Sequence, residues 1–357
     1  MIVPATTFST MSAANVTLTR HLADVLPAFL QSQTFSQLGV VVDENTLRDC
    51  YPLVQSLLPE HITCTIRSGE RYKNLDTCTQ LWEWMTHARF DRQALLLNLG
   101  GGVIGDMAGF CAATYKRGIR FINLPTTLLS QVDASVGGKL GIDFQGFKNH
   151  IGLFQEPLRV IICPEFLKTL PQQELRSGYA EVVKHSLIAD SSYWPVVSET
   201  PIAEQNWLAI INHSVQIKAD VVAQDFREGG IRKILNFGHT IGHAVESFYL
   251  DTDRHLLHGE AIAVGMVAET FLSQRHTRLP SDQAQNIVKF LLKTYGHRPI
   301  PEAEMDSMIT LAQQDKKNNQ SVIQCTLLEK IGTATFDIPI TGEDIREALR
   351  YYNTAGE

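Results

Sequence analysis

The fold is decided by residues 94–106, which read ALLLNLGGGVIGD. The first six of these residues are almost all apolar and predict a buried strand, which the glycines at positions 100, 102 and 105 follow directly. Glycines in the spacing GxGxxG between a strand and a helix let the backbone approach a pyrophosphate, whose charge the helix N-terminus then stabilises. The segment therefore predicts a dinucleotide-binding turn, and the alternative is a plain tight turn.

Short apolar runs continue on both sides of this segment. Four more strands are predicted, at residues 38–42, 61–66, 121–124 and 160–162. Helical periodicity separates the runs, as at Leu75–His87, and strands that alternate with helices are typical of a parallel, Rossmann-like sheet. The acid that commonly binds the ribose about 20 residues after the glycines is missing, so Asp43, which follows residues 38–42, is the candidate for that role.

The second half of the chain has a different pattern. Helices are predicted at residues 174–188, 207–224, 231–249, 259–275 and 281–294, with a late hairpin at residues 324–328 and 334–338. We therefore expect an α/β fold, with a Rossmann-like parallel-sheet domain over residues 1–165 and a mainly α-helical domain over residues 166–357. Ligands of such chains commonly bind in the cleft between the domains, and we expect the active site there.

Composition and charge exclude several classes of protein. The net charge of −7 argues against a nucleic-acid partner, because no broad basic surface is implied. The six cysteines form no CxxC pair and indicate reduced thiols, not a disulfide framework. The first residues lack the basic and apolar segments of a secretory signal, and no apolar run approaches the roughly 20 residues that a membrane span needs. We therefore expect a soluble cytoplasmic protein.

Two histidines four residues apart are the first candidates for metal ligands. His239 and His243 share one face of a predicted helix. His258 opens the next helix, and Glu181 lies on an earlier one. Three His and Glu ligands that leave a position open are typical of a catalytic zinc site. The spacing leaves open which of the three histidines complete the site, and a helical histidine pair alone is more often a surface or core feature.

Cations and polar side chains are concentrated in this otherwise acidic protein. They are Asp133, Lys139, Lys148 and Asn149 within residues 131–149, and Lys184, Lys218, Arg232, Lys316 and Lys317 in the second half. Several cations around one cleft suit a substrate that carries a phosphate and a carboxylate. For any single lysine, a solvated surface charge is an equally good interpretation.

Nine segments carry a more specific signal in their order than any one of them does alone. They read SGERYKNL (68–75), GGGVIGDMAGFCAATYKRGIRF (100–121), LPTTLLSQVDASVGGK (124–139), KNHIG (148–152), FLKTLP (166–171), SGYAEVVKHSLI (177–188), REGGIRKILNFGHTIGHAVE (227–246), LLHGEAIAVGM (256–266) and DKK (315–317). In combination they resemble the 3-dehydroquinate synthase family of sugar-phosphate cyclases over nearly the whole chain.

The resemblance implies a lyase of the shikimate pathway, which leads to chorismate and the aromatic amino acids. Its substrate would be a small phosphorylated keto-acid, 3-deoxy-D-arabino-heptulosonate 7-phosphate, and its products 3-dehydroquinate and inorganic phosphate. The implied course is transient oxidation by NAD, elimination of phosphate, re-reduction and intramolecular aldol cyclisation, with zinc or cobalt as the Lewis acid. NAD is recycled in each turnover, and the enzyme is expected to be a homodimer.

The resemblance also implies roles for individual residues. The metal ligands would be Glu181, His239 and His258, which leaves His243 on the substrate side. The residues implied to contact NAD are Asp43, Asn45, Glu70, Lys73, Gly102, Val103, Ile104, Gly105, Asp106, Thr126, Thr127, Lys139, Lys148, Phe166 and Thr169. Those implied to contact the substrate are Asp133, Lys139, Asn149, Lys184, Lys218, Arg232, Asn236, His243 and one of Lys316 and Lys317, with Arg117 reaching a phosphate site across a dimer interface.

Three residues depart from the family pattern, and two related activities are alternatives to the implied function. Leu140 stands where threonine is common, Phe226 where an acid is common and Cys163 where aspartate is common. One alternative is a cyclase that uses sedoheptulose 7-phosphate, which has no carboxylate; another is a glycerol-type polyol dehydrogenase, which needs an exchangeable NAD. The chain keeps Arg232 and Asn236 on the carboxylate side, which favours the heptulosonate substrate. A non-catalytic zinc- or NAD-binding regulator would be expected to lose catalytic positions, and none is missing.

Overall fold

The computed structural model describes residues 15–145, 147–313 and 322–356. The chain forms two compact units, which are Met1–Leu175 with Asn206–Asp220, and Arg176–Gln205 with Val221–Glu357. The division falls inside two helices, at residues 172–189 and 207–224, which therefore each contribute to both units. A domain boundary at residue 165 and an active site between the domains stay predictions.

The first unit contains a parallel sheet. Its strands, in the described residues, are β1 (Val16–Leu18), β2 (Leu38–Asp43), β3 (Ile62–Ile66), β4 (Leu95–Gly100), β5 (Arg120–Pro125), β6 (Lys139–Phe144), β7 (Phe147–Phe154) and β8 (Arg159–Ile162). Six of them form the parallel sheet in the order β1–β8–β5–β4–β2–β3, while β6 and β7 pair as an antiparallel hairpin. The five predicted strands of this half are confirmed, whereas β1 and the β6–β7 hairpin are not apparent from the apolar pattern.

Helices cover both faces of this sheet. They are α1 (Leu26–Gln31), α2 (Glu44–Asp49), α3 (Tyr51–Val54), α4 (Leu75–His87) and α5 (Gly102–Thr114). On β4, Leu95 and Leu97 pack in one core with α1, whereas Leu96 packs in the other core with α4 and α5. Side chains alternate between the two faces of a strand, so burial on both faces makes β4 almost continuously apolar. The predicted Rossmann-like α/β class is confirmed.

The direction of the strand order reverses between β2 and β4. From β2 the chain crosses to β3 on one side, and from β4 it crosses to β5 on the other, while β2 and β4 are neighbours. In open parallel sheets, ligands bind beyond the carboxyl ends of the strands at such a reversal. Asp43 ends β2 and Gly100 ends β4, so both candidate cofactor segments begin at this position.

The second unit is mainly helical. Its helices are α6 (Gln172–Ala189), α7 (Trp194–Glu199), α8 (Trp207–Gln224), α9 (His239–Tyr249), α10 (His258–His276), α11 (Ser281–Tyr295), α12 (Glu302–Gln313) and α13 (Gly342–Ala355), of which α6 and α8 are shared with the first unit. The strands β9 (Ile323–Lys330) and β10 (Thr333–Ile340) form the predicted antiparallel hairpin. Within the ranges that the structure describes, no helix has both the length and the apolar character to cross a lipid bilayer.

One predicted helix of the second unit, over residues 231–249, is wrong as a continuous element. The chain forms a 3-10 helix at Ile231–Asn236, and α9 begins only at His239. Gly238 lies between them in the left-handed region with φ of +81°, which favours glycine, and a Cβ there would lie 2.5 Å from Met266 Cγ. The apolar pattern continues through this turn, so the pattern alone does not reveal the break.

Candidate metal centre and cofactor-binding turn

Three candidate metal ligands come together within the second unit. Glu181 lies on α6, while His239 and His258 are the first residues of α9 and α10. The Nε2 atoms of both histidines lie 3.5 Å from Glu181 Oε1. Glu181 is fully buried, and the ligand atoms of the three residues lie within 4.8 Å of one another. Three helices therefore bring one carboxylate and two imidazoles to a single point.

The other ring nitrogen of each of these histidines has an acceptor. His239 Nδ1 lies 3.0 Å from the carbonyl oxygen of Phe237, and His258 Nδ1 lies 3.1 Å from Glu246 Oε2. An acceptor at Nδ1 holds the proton there and leaves the Nε2 lone pair for a metal ion. Both imidazoles are therefore oriented with Nε2 towards Glu181.

This donor set fits a zinc ion. A tetrahedral ion about 2.0–2.1 Å from its ligands requires ligand atoms roughly 3.4 Å apart. The two measured separations between histidine nitrogen and carboxylate oxygen are 3.5 Å. Burial alone would lower the pKa of His258, but the charges of Glu246 and Glu181 and the hydrogen bonds to them raise that pKa to about 10. The position therefore stabilises positive charge, which a divalent ion supplies.

His243 is the third histidine of the cluster. It lies one turn after His239 on α9, and its ring centroid is 5.0 Å from that of His239 and 5.9 Å from that of His258. It also forms a second possible ligand group with Glu246 and His258. In that group the carboxylate already contacts His258 Nδ1, whereas the group around Glu181 offers two Nε2 atoms. The geometry thus favours Glu181, His239 and His258 as the ligands.

The start of α10 is fastened closely to α6. Gly259 N donates to Ser177 Oγ at 2.9 Å, and Arg176 Nη2 pairs with Glu260 Oε1 at 2.7 Å. There is no room for a side chain at Gly259, since a Cβ would lie 1.9 Å from the carbonyl oxygen of Ser177. The two helices therefore meet backbone to backbone, and this contact sets the distance between His258 and the acid on α6.

Several candidate substrate residues of the second unit are held in place by partners. The ammonium group of Lys184, one turn after Glu181, pairs with Glu181 Oε2. The guanidinium group of Arg232 is almost fully buried and donates to a backbone carbonyl oxygen at 2.6 Å. Asn236 Nδ2 donates to Glu228 Oε1 at 3.0 Å. Buried charges are costly unless they are paired, so these partners are needed to hold the polar groups in the protein interior.

In the first unit, the predicted dinucleotide turn has the required position between β4 and α5. Gly101 precedes α5 and has no side chain to cap it, so the first N–H groups of the helix are suited to an anion. A Cβ at Gly100 would lie 2.4 Å from Ile104 Cδ1, whereas a Cβ at Gly105 would meet no atom within 4 Å. Gly100 is therefore needed for packing, and Gly105 keeps space open where a pyrophosphate would approach the helix.

A buried lysine organises the polar residues near this turn. Lys73 Nζ pairs with Asp106 Oδ2 at 2.6 Å and donates to Asn149 Oδ1 at 2.7 Å. Burial alone would lower the pKa of Lys73, but the charges of Asp106 and Glu70 raise it, so the ammonium group stays charged. Lys148 Nζ lies 3.4 Å from Glu70 Oε1. Four residues expected to contact NAD thus lie together with Asn149, which was expected to contact the substrate.

Three more candidates of the first unit have clear partners. Lys218 Nζ lies 2.9 Å from Asp133 Oδ2, so two residues expected to contact the substrate form one ion pair. Asp43 caps α2, because its Oδ1 accepts from Thr46 N at 2.8 Å. Burial raises the pKa of Asp43. One carboxylate oxygen of Asp43 therefore caps α2, and this holds for any ligand that the other oxygen contacts.

The remaining candidates lie beyond strand ends or on the surface. Those for NAD contact follow the carboxyl ends of strands, namely Asn45 after β2, Thr126 and Thr127 after β5, and Phe166 and Thr169 after β8. Lys139 is exposed at the start of β6, and Arg117 is exposed in a turn with φ of +71°. Lys316 and Lys317 lie outside the described residues, so their role stays a prediction.

The sequence patterns miss two carboxylates that support the ligands. Glu246 contacts His258, and Glu269 contacts the first turn of α9. Glu246 follows His243 by three residues, which puts both on one helix face, and this signal could have identified it. Glu269 gives no such signal, because it lies 31 residues along the chain from the glycine N–H that it accepts.

Comparisons with known proteins identify the family that the chain matches. A family model described as 3-dehydroquinate synthase N-terminal matches residues 63–177, and one described as 3-dehydroquinate synthase C-terminal matches residues 178–318. A 3-dehydroquinate synthase of Parabacteroides distasonis is 39% identical over 347 residues, which cover 96% of this chain and 98% of that protein.

Two solved structures resemble the chain over almost its whole length. A 2-epi-5-epi-valiolone synthase from Streptomyces hygroscopicus subsp. jinggangensis, with NAD+ and Zn2+ bound, is 25% identical with a TM-score of 0.85 and covers 99% of both chains. A 2-deoxy-scyllo-inosose synthase complexed with carbaglucose-6-phosphate, NAD+ and Co2+ is 25% identical with a TM-score of 0.78, covering 94% of this chain and 96% of that one.

Proposed function

The chain belongs to the 3-dehydroquinate synthase family, and we propose from this premise that it converts 3-deoxy-D-arabino-heptulosonate 7-phosphate to 3-dehydroquinate and inorganic phosphate. The reaction makes it a carbon–oxygen lyase of the pathway to the aromatic amino acids, working in the cytoplasm. The observation that carries the proposal is a ligand group of one glutamate and two histidines in a chain 39% identical to a 3-dehydroquinate synthase.

The cofactors are NAD and a divalent zinc or cobalt ion. Glu181, His239 and His258 would hold the metal ion, and the turn before α5 would hold the pyrophosphate of NAD. When bound, the cofactors supply a Lewis acid for the substrate hydroxyls and a hydride acceptor that is regenerated in each turnover. The side chains of the protein bind and orient the substrate and move its protons.

Residues of the first unit are suited to the phosphate of the substrate. Lys139 and Asn149 offer an ammonium group and an amide, and charge-assisted hydrogen bonds to phosphate are about twice as strong as neutral ones. One of Lys316 and Lys317 would add a second ammonium group. Arg117 would reach the phosphate site of the other subunit in a homodimer, which its exposed position permits.

Residues of the second unit are suited to the carboxylate and hydroxyls. Arg232 has a planar guanidinium group that can bind a carboxylate through two parallel hydrogen bonds, and Asn236 and Lys184 would fix the hydroxyl groups. A ring nitrogen of His243 would accept the proton of the hydroxyl group that is to be oxidised. Holding the substrate in one reacting conformer is itself a large contribution to rate.

The test is a matched pair of substrates. Metal-loaded protein with NAD is given 3-deoxy-D-arabino-heptulosonate 7-phosphate, and we expect equal amounts of phosphate and 3-dehydroquinate, both abolished by a chelator. Sedoheptulose 7-phosphate, which has no carboxylate, is the control substrate and is expected to release little phosphate. Phosphate release from sedoheptulose 7-phosphate alone would contradict the assignment of Arg232 and Asn236 to a carboxylate.

A further inference from the structure

A buried carboxylate from α10 caps the helix that begins with His239. Glu269 is fully buried, and its two oxygens accept hydrogen bonds from Gly238 N at 2.5 Å and Ile241 N at 3.0 Å. The first N–H groups of a helix have no partner within the helix, and the helix dipole favours negative charge there. Gly238 offers no side chain for this purpose, so Glu269 takes the place of an N-cap residue from a different helix.

The contact depends on a close approach of α9 and α10. Gly265 lies one turn before Glu269 on the same face of α10, and a Cβ there would lie 1.9 Å from the carbonyl oxygen of Gly238. Gly242 on α9 is also crowded, since a Cβ would lie 2.9 Å from Ile262 Cδ1. These glycines bring the two backbones together, which allows a glutamate side chain to reach the start of α9.

Each of the two helices contributes a carboxylate that contacts the other helix near a candidate ligand. Glu246 of α9 contacts His258 on α10, and Glu269 of α10 contacts the residues on either side of His239 and Thr240 on α9. The Nδ1 atom of His239 contacts a backbone carbonyl of the same turn. Both the backbone of His239 and the acceptor that orients its ring therefore belong to the turn that Glu269 holds.

We propose that Glu269 is a positioning residue for the metal site, whose carboxylate holds the first turn of α9 so that His239 Nε2 faces Glu181. The inference rests on the proposed metal site, and it assigns Glu269 no contact with the metal or the substrate. Outer-shell partners of metal ligands typically change metal affinity by about 10- to 100-fold when they are mutated. A role confined to folding would change stability and leave metal affinity as it is.

Glu269→Gln is the direct test on the full chain. The amide keeps the shape of the side chain but directs an NH2 group at one of the two N–H donors. The control is Glu304→Gln, because Glu304 hydrogen-bonds Tyr249 at the other end of α9. Zinc affinity of the metal-free protein is measured by competition with a chromophoric chelator, and visible absorption of the cobalt-loaded protein reports the ligand geometry.

We expect Glu269→Gln to weaken zinc binding by about 10- to 100-fold and to alter the cobalt spectrum, and Glu304→Gln to leave both as in the parent. A lower melting temperature with parental zinc affinity and cobalt spectrum would overturn the proposal. If Glu269→Gln does not fold, Glu269→Asp is the second test, because its shorter side chain draws the carboxylate away from α9 and must also weaken zinc binding. Failure of both variants to fold would assign Glu269 to folding instead. A parent protein that binds no zinc would contradict the proposed function, which is a separate result.

Discussion

The candidate metal ligand group and the candidate dinucleotide turn are built in different ways. The candidate ligands are side chains on three helices, and the two histidines among them are oriented by a backbone carbonyl group of the same turn or by a carboxylate 12 residues away. The turn is the backbone of one continuous segment between β4 and α5. A site made of backbone is therefore visible in a local motif, whereas a site made of side chains depends on how helices cross.

Glycines serve both regions, but for different reasons. Gly259 and Gly265 let helices of the second unit meet backbone to backbone, since a Cβ at either would lie 1.9 Å from a carbonyl oxygen. Gly105 in the first unit has no such neighbour and keeps space open beside a helix N-terminus. Glycine thus permits close packing of helices in one region and leaves open space beside a helix N-terminus in the other.

Removal of a metal ligand is expected to have the largest effect. His239→Ala deletes one of three ligands, and we expect it to weaken zinc binding by more than the roughly 100-fold that loss of an outer-shell partner costs. His243→Ala, on the same helix, is the control and should keep the metal while turnover slows. Metal content after dialysis measures both variants. Equal metal loss in both would contradict the choice of ligands.

Removal of the buried cation near the dinucleotide turn is expected to destabilise the first unit. Lys73→Ala leaves the partly buried Asp106 without its ion-pair partner, and we expect a cost approaching the roughly 3–5 kcal/mol of breaking a fully buried pair. Lys168→Ala, which removes an exposed pair with Glu165, is the control and should cost less than about 1 kcal/mol. The free energy of unfolding in urea measures the difference.

The sign of the pH dependence follows from the direction of the Lys73 pKa. Pairing raises that pKa above its value in the unfolded chain, about 10.4. The stabilisation is therefore fully present below about pH 10 and is lost as the pH rises through the folded-state pKa. The difference in the free energy of unfolding between the parent and Lys73→Ala should therefore not fall as the pH rises from about 6 to about 9. A difference that falls with rising pH in this range would contradict the assignment.

The smallest expected effect has opposite signs for stability and binding. Gly105→Ala places a methyl group in open space within α5, so we expect it to stabilise the helix by about 0.5–1 kcal/mol and to weaken NAD binding. Gly109→Ala is the control in the same helix, because its Cβ would lie 2.6 Å from Leu140 Cδ2 and should destabilise the protein. Urea unfolding and NAD titration measure the two effects, and unchanged NAD affinity in Gly105→Ala would argue for a plain tight turn.

Much of the fold could be predicted because its signals are local. The helices Leu75–His87 and Trp207–Gln224 have the bounds that their periodicity predicts, and the apolar run at residues 94–99 identifies β4. The β6–β7 hairpin is less visible, since its strands mix lysine, asparagine and glycine with apolar residues. Packing also requires glycine at the Gly238 break, because a Cβ there would lie 2.5 Å from Met266 Cγ, and no local pattern contains this neighbour.

The candidate site could be predicted only in part. Spacing identified His239, His243 and His258 as candidates but could not choose among them, because all three reach the same cluster. Their approach to Glu181 favours His239 and His258, and this approach is known only once the helices are packed. Glu269 is hidden for the same reason, since its role depends on the crossing of α9 and α10.

The most direct test of a recycled cofactor is to count the molecules of 3-dehydroquinate formed for each molecule of NAD. Metal-loaded protein receives a limiting amount of NAD and an excess of 3-deoxy-D-arabino-heptulosonate 7-phosphate, while product, phosphate and NADH absorbance are followed together. We predict many molecules of product for each NAD, one phosphate for each product, and no accumulation of NADH. One product for each NAD, or NADH that accumulates with a simple polyol as substrate, would contradict this function and indicate a dehydrogenase.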